Sequence, residues 1–116
     1  MALTVKILAD GTVGTLANTV YDLITATVGV PSGKAWIVKN MRFTNNDTAA
    51  QTLDIFCLRS GGTARQISPK AMTVGAGYMA IDDSEITLAA GDKLQAKVSV
   101  AGNKFDYLIS GIERDA

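Results

Sequence analysis

The chain has 116 residues, and its eleven Lys and Arg balance its eleven Asp and Glu, so the formal net charge is zero. A neutral domain without a basic run is a poor candidate for binding nucleic acid or an anionic membrane surface. Histidine is absent, which excludes Ser-His-Asp and Cys-His catalysis, and one cysteine, Cys57, excludes an intramolecular disulfide.

The N-terminal residues lack the marks of a signal peptide, because no charged n-region and no apolar run of sufficient length precede Asp10. No segment has the roughly 20 apolar residues of a membrane span. We therefore expect synthesis in a cytoplasm, and no membrane partner.

Residues 1–11 are predicted to form either an N-terminal arm or an edge strand. Leu3, Val5 and Ile7 alternate with other residues over the predicted strand 3–8, and Asp10-Gly11 is predicted to be a turn. Such a strand adds to a neighbour's sheet edge or pairs within its own subunit. Leu3, Val5 and Ile7 are therefore candidate interaction residues.

The rest of the chain also favours strands. Thr, Val and Ile supply 30 residues, and nine of the eleven acidic residues are Asp, which favours turns, rather than Glu. No window of about ten residues carries a helical apolar stripe. After residues 3–8, strands are predicted at 12–17, 20–28, 36–43, 52–57, 65–68, 78–82, 86–88, 94–100 and 105–110.

Turn residues separate these strands, and the spacing predicts one all-β domain over residues 1–116, an antiparallel β-sandwich of jelly-roll type. The turns after Asp10-Gly11 are predicted at Pro31-Ser32-Gly33, Asn45-Asn46-Asp47, Ser60-Gly61-Gly62, Gly75-Ala76-Gly77, Gly91-Asp92 and Gly102-Asn103.

Two strands carry specific expectations about their faces. Trp36 shares its strand parity with the polar residues Asn40 and Arg42, which predicts that Trp36 and Arg42 lie on an inter-subunit or ligand-facing surface. In the strand 94–100 the alternation places Val98 inward and Lys97 toward solvent.

The candidate chemical groups favour a structural interpretation. Asp82-Asp83-Ser84-Glu85 supplies oxygen ligands and paired acids, yet its spacing is typical of a hairpin turn rather than of a calcium loop or a glycosidase pair. Gly61-Gly62 and Gly75-Ala76-Gly77 lack the context of a phosphate-binding loop. Cys57 is predicted to be a small core hydrophobe. No catalytic residue, metal, cofactor or small-molecule substrate is therefore predicted.

The order of the corner motifs resembles the small β-sandwich structural proteins of tailed-bacteriophage virions. The resemblance covers roughly residues 16–113 and rests on ordered motifs. They are Leu16-Ala17-Asn18-Thr19, Val30-Pro31-Ser32-Gly33-Lys34, Phe43-Thr44-Asn45, Gly75-Ala76-Gly77, the run 88–94 and Ile109-Ser110-Gly111-Ile112-Glu113.

This resemblance implies a non-enzymatic virion protein, made in the host cytoplasm and located in the particle. Its expected role is that of a capsid decoration (cement) protein that forms a homo-oligomer and binds the major capsid protein. A tail or fibre component is the alternative within that class. Two alternative functions come from other classes. A carbohydrate-binding module would need Trp36 or Tyr107 exposed in a concave face. A small hydrolase would use Asp82, Asp83 or Glu85 as its catalytic acids.

Overall fold

The computed structural model describes residues 3–23 and 29–115. These residues form two five-stranded antiparallel sheets, which confirms the predicted all-β sandwich. The strands are β1 (Leu3–Val13), β2 (Tyr21–Asp22), β3 (Lys34–Asn45), β4 (Gln51–Leu58), β5 (Ala64–Gln66), β6 (Met72–Val74), β7 (Met79–Asp82), β8 (Ile86–Leu88), β9 (Lys93–Val98) and β10 (Phe105–Asp115).

The chain alternates between the two sheets in jelly-roll order. The first sheet runs β1-β10-β3, and β7 and β8 both pair with the far edge of β3. The second sheet runs β2-β9-β4, and β5 and β6 both pair with the far edge of β4. Sequence neighbours therefore lie mostly in opposite sheets, as expected for a double-sheet jelly roll.

The core lies between the two sheets and consists of inward-facing side chains from both. Its largest fully buried members are Phe43, Phe105, Met41, Leu53, Leu88, Leu94 and Ile109. Val98 is buried as predicted. This interior fixes which face of each strand meets solvent, because strand side chains alternate between the faces.

The N-terminal strand is longer than predicted. Asp10 and Gly11 pair with Leu108 and Tyr107 of β10, so the turn predicted at Asp10-Gly11 is wrong and β1 continues to Val13. The strand predicted at 12–17 accordingly ends at Val13.

Two further strand predictions need correction. The strand predicted at 20–28 is represented by Tyr21–Asp22, and its residues 24–28 lie outside the described residues. Met72–Val74 forms a short strand that was not predicted, and it pairs with the first residues of β4.

Several predicted turns depend on a glycine with positive φ, which other residues rarely adopt. Gly33 has φ 77° in the turn before β3, and Gly91 has φ 84° in the turn before β9. Both turns lie where the sequence placed them.

A bulge in β3 places Trp36 and Arg42 on opposite faces of the sheet, although the sequence predicts one shared face. Asn40 pairs with Ser110 but Val38 pairs with Gly111, so Lys39 is an extra residue in β3. One extra residue reverses the alternation. Trp36 therefore faces the core with Val38, at 3% exposure, and the prediction that it lies on a partner-facing surface is wrong.

Candidate interaction surface

β1 is an edge strand whose apolar residues face outward. It pairs with β10 on one side only among the described strands. Leu3, Val5 and Ile7 are 65%, 83% and 56% exposed. Leu8 alternates with Ile7 and faces the core, and a register shift between Ile7 and Ala9 turns Ala9 to the same side. The predicted edge strand is thus paired within its own subunit.

The exposed residues of β1 continue across the outer face of the first sheet. Val5 pairs with Ile112, and Ile112 pairs with Ile37 of β3. Directly paired residues in an antiparallel sheet share a face, so these three side chains form one apolar row.

A second row crosses the same face nearer the other end of β3. Leu108 pairs with Arg42, and Arg42 pairs with Ile81 of β7. Ile81 is 58% exposed and Met79 is 49% exposed. Arg42 is exposed here, and its Nε donates to Asn40 Oδ1 at 3.2 Å. We call this surface the outer apolar face; its members are Leu3, Val5, Ile7, Ile37, Met79, Ile81, Leu108 and Ile112.

The sequence singled out Leu3, Val5, Ile7 and Arg42 on this face but not Met79 and Ile81. A strand of four residues does not reveal which of its two faces meets the core. Ala80 faces inward and Ile81 outward because of how β7 pairs with β3. This pairing cannot be predicted from the periodicity of the sequence.

Beneath this face, Glu113 links three strands. Its Oε2 accepts a hydrogen bond of 2.8 Å from Trp36 Nε1, and its Oε1 accepts one of 3.2 Å from Lys6 Nζ. The indole hydrogen bond, supported by Lys6, holds the pKa of Glu113 below its usual value. These contacts attach the N-terminal half of β1 to β10 and β3.

The outer face of the second sheet is polar. Asp22 accepts hydrogen bonds from Gln95 at 2.7 Å and from Lys93 at 3.1 Å. Asp54, although buried, accepts from Gln66 Nε2 at 2.6 Å and lies 3.9 Å from Lys97 Nζ. Lys97 is partly exposed rather than fully in solvent. Among the described strands, the exposed large apolar side chains therefore lie on the first sheet, whose outer face also carries Asp10, Arg42 and Asp106.

A groove of about 250 Å³ opens between the two sheets along β7. It is lined mainly by apolar side chains from both sheets, with Asp82 and Ser68 among its polar members. The apolar lining residues are Phe43, Ile55, Ile67, Pro69, Met72, Ala80 and Ile81. Ile81 thus borders both this groove and the outer apolar face.

The acidic segment 82–85 has the contacts of a turn. Asp82 Oδ1 accepts the backbone N–H of Ser84 at 2.9 Å, and Glu85 forms an ion pair with Lys39 at 3.0 Å. Within residues 3–23 and 29–115, no group of three or more His, Cys, Asp or Glu side chains is placed to hold a metal ion.

Cys57 and Tyr107 are both half-buried. Burial, followed by the charge of Asp92, raises the pKa of the Cys57 thiol, which disfavours the nucleophilic thiolate. The Tyr107 hydroxyl donates to the Leu23 carbonyl at 2.9 Å, and burial raises its pKa.

Trp36 and Tyr107, one of which a carbohydrate-binding module would need on its surface, are therefore not fully exposed. Trp36 is in the core, and the Tyr107 ring stacks on Phe43 with centroids 6.1 Å apart. Tyr78, by contrast, is exposed. A carbohydrate-binding role stays a prediction, but neither Trp36 nor Tyr107 has the exposure that it requires.

In the part of the chain that the structure describes, no helix has the length and apolarity needed to cross a membrane.

No protein-family model and no curated protein matches the chain. Solved structures do match it. A chain from the structure of the infectious bursal disease virus Gx strain is 16% identical with a TM-score of 0.53, and the match covers 97% of this chain and 32% of that chain.

Two further matches are weaker. A chain from the Gt strain of the same virus is 12% identical, with a TM-score of 0.41 and coverage of 97% and 32%. The CBM22-1 xylan-binding domain of Paenibacillus barcinonensis Xyn10C is 14% identical, with a TM-score of 0.37 and coverage of 97% and 81%.

The match to the Gx-strain chain supports the β-sandwich fold. The chain spans about a third of the length of the viral chains that it matches. The narrower resemblance to tailed-phage decoration proteins receives no support from them and stays a prediction.

Proposed function

We propose that this chain is a non-enzymatic structural protein of a virion. More specifically, we propose a decoration protein on the head of a tailed bacteriophage that binds the major capsid protein through the outer apolar face. The observation that carries the proposal is the contrast between the two outer surfaces. One sheet exposes five large apolar side chains, whereas polar side chains bonded to one another lie across the other sheet.

Exposed apolar side chains that lie together mark interaction surfaces in soluble proteins. Leu3, Val5 and Ile7 lie at one end of the outer apolar face, and Ile81 and Met79 lie across the sheet on β7. A surface of this breadth fits a flat protein partner better than a small ligand. Arg42 lies on this face together with Asp10 and Asp106, so charged groups of both signs border the apolar side chains and favour a partner with complementary polar groups.

The stabilising effect of such a protein follows from multivalency. A rigid sandwich that touches neighbouring capsid subunits makes the second contact intramolecular. Neighbouring subunits then separate only if several contacts break together, so the shell resists internal pressure. This role needs no catalytic residue, cofactor or small-molecule substrate, and it places the protein in the virion after synthesis in the host cytoplasm.

The test is sedimentation of the purified protein with undecorated heads of the phage whose genome encodes it. We expect saturable co-sedimentation at a fixed ratio to the major capsid protein, and heads that open at a higher temperature when decorated. Protein that stays in the supernatant at micromolar concentration, with capsid stability unchanged, would contradict the proposal.

A tail or fibre component is the second candidate, because the same apolar face would serve it equally well. Labelled protein on intact particles separates the two. We expect the label over the head surface; label confined to the tail would replace the decoration role with the tail role.

A further inference from the structure

We propose that two copies of this chain join through β1, antiparallel and related by a two-fold axis that passes next to Val5 and perpendicular to the sheet. The first sheets of both copies then become one continuous sheet. This inference concerns the protein alone and does not depend on binding to a capsid.

Within residues 3–23 and 29–115, no strand pairs with the outer edge of Leu3–Ile7. β1 is eleven residues long, whereas the other described edge strands, which are β2, β5, β6, β7 and β8, have two to four residues. Natural edges are protected by short length, proline, charged side chains or bulges, and the bulge of β1 comes only after Ile7. Leu3–Ile7 contains no proline, and its one charged residue, Lys6, is held by Glu113 of its own subunit at 3.2 Å.

The sequence of β1 is self-complementary in one register. With Val5 opposite Val5 of the second copy, Leu3 lies opposite Ile7, and Thr4 lies opposite Lys6. All three outward apolar residues then have apolar partners, and no like charges meet. Centring the pair on Lys6 would place two ammonium groups opposite each other. Centring it on Thr4 would leave Ile7 without a partner among the described residues.

This register also extends a row that already exists in each subunit. Val5 pairs with Ile112 and Ile112 with Ile37, so the joined sheets carry six apolar side chains in one line across the axis. Aliphatic cross-strand neighbours of this kind stabilise a sheet. Val5 is 83% exposed, so it has more apolar surface to bury against a neighbouring side chain than Leu3 or Ile7 has, relative to its size.

A two-fold axis perpendicular to the sheet keeps both outer apolar faces on the same side. The polar faces of both second sheets then point the other way. The dimer would thus present two identical apolar surfaces to a single partner surface, and such a pair binds far more tightly than one copy.

Cysteine cross-linking tests the register directly, in a Cys57→Ala background that removes the native thiol. Directly opposed residues have Cα atoms about 4.5–5.5 Å apart, which suits a disulfide. We expect Val5→Cys to form a covalent dimer on mild oxidation. Leu3→Cys or Ile7→Cys alone should not, because each lies about four residues, or ~13 Å, from its own copy. A mixture of those two variants should cross-link.

The control is Ile81→Cys, which is exposed on the opposite edge of the first sheet and should stay monomeric on a denaturing gel. Light scattering provides a second measurement without oxidation. Wild type should have the mass of two chains, and Val5→Lys should weaken dimerisation at least tenfold by placing two charges at the axis, with an unchanged circular dichroism spectrum.

A monomeric wild type, or a Val5→Cys variant that does not cross-link, would overturn the dimer. Cross-linking of Leu3→Cys to itself would overturn the register. Neither result bears on capsid binding, which the sedimentation of wild-type protein decides separately.

Discussion

Trp36 of β3 and Glu113 of β10 are joined by a hydrogen bond of 2.8 Å between the indole Nε1 and the carboxylate Oε2. The second carboxylate oxygen accepts from Lys6 of β1 at 3.2 Å. One buried indole and one lysine thus share a single carboxylate. This arrangement connects the edge strand β1, which carries the exposed residues Leu3, Val5 and Ile7, to the interior of the sandwich.

Glu113→Gln should lower the Tm at pH 7, because it removes the charge that both donors stabilise. The pKa of Glu113 is lowered in the folded state, so its contribution is present above the ordinary value of 4.5 and is lost as pH falls through the folded pKa. The Tm difference between wild type and variant, measured by thermal melts from pH 7 to pH 3, should therefore shrink below pH 4.5. A difference that does not change with pH would contradict this account. Asp83→Asn, in the exposed turn, is the control.

Gly111→Ala should destabilise the fold by at least about 2 kcal/mol. A Cβ at this position would lie 2.1 Å from the backbone oxygen of Ile37, so the two strands must move apart at the bulge. Gly33→Ala is the comparison, because its added Cβ meets nothing within 4 Å although its φ is 77°. It should cost about 1 kcal/mol, the strain of a side chain in the left-handed region. Urea unfolding measures both, and equal losses would show that the bulge tolerates a side chain.

Regular strands could be predicted from the sequence, and the bulges could not. Ile86–Leu88 was predicted with its observed bounds, and the alternation of Lys93–Val98 places Val98 inward as expected. The face of Trp36 was predicted wrongly because Lys39 is an extra residue in β3, and only the register between β3 and β10 reveals it. That register depends on contacts between segments far apart in the chain, and local periodicity does not contain it.

The candidate surface was predicted in part for the same reason. Leu3, Val5 and Ile7 precede the bulge at Leu8, and their common face follows from simple alternation. Asp10-Gly11 has the composition of a turn, yet its backbone is held by β10, so tertiary pairing overrides the local preference. Ile81 and Met79 could be placed only after β7 was known to pair with β3.

Lys97→Asp should destabilise by about 1–3 kcal/mol, more than a surface substitution does. Lys97 Nζ lies 3.9 Å from the buried carboxylate of Asp54, so the variant places a second carboxylate beside it. Lys97→Gln, which removes the charge without reversing it, should cost less than about 1 kcal/mol. Chemical denaturation compares the two. Equal stability of both variants would mean that Lys97 has no electrostatic contact with Asp54.

The central claim is that the outer apolar face, and not the polar face, binds the capsid. A matched pair of lysine substitutions tests it most directly: Ile81→Lys on the outer apolar face and Thr73→Lys, an exposed residue of the second sheet. Both variants should keep the wild-type Tm. In sedimentation with undecorated heads, we predict that Ile81→Lys weakens capsid binding at least tenfold and that Thr73→Lys binds like wild type. Undiminished binding by Ile81→Lys, or a greater loss with Thr73→Lys, would contradict the account.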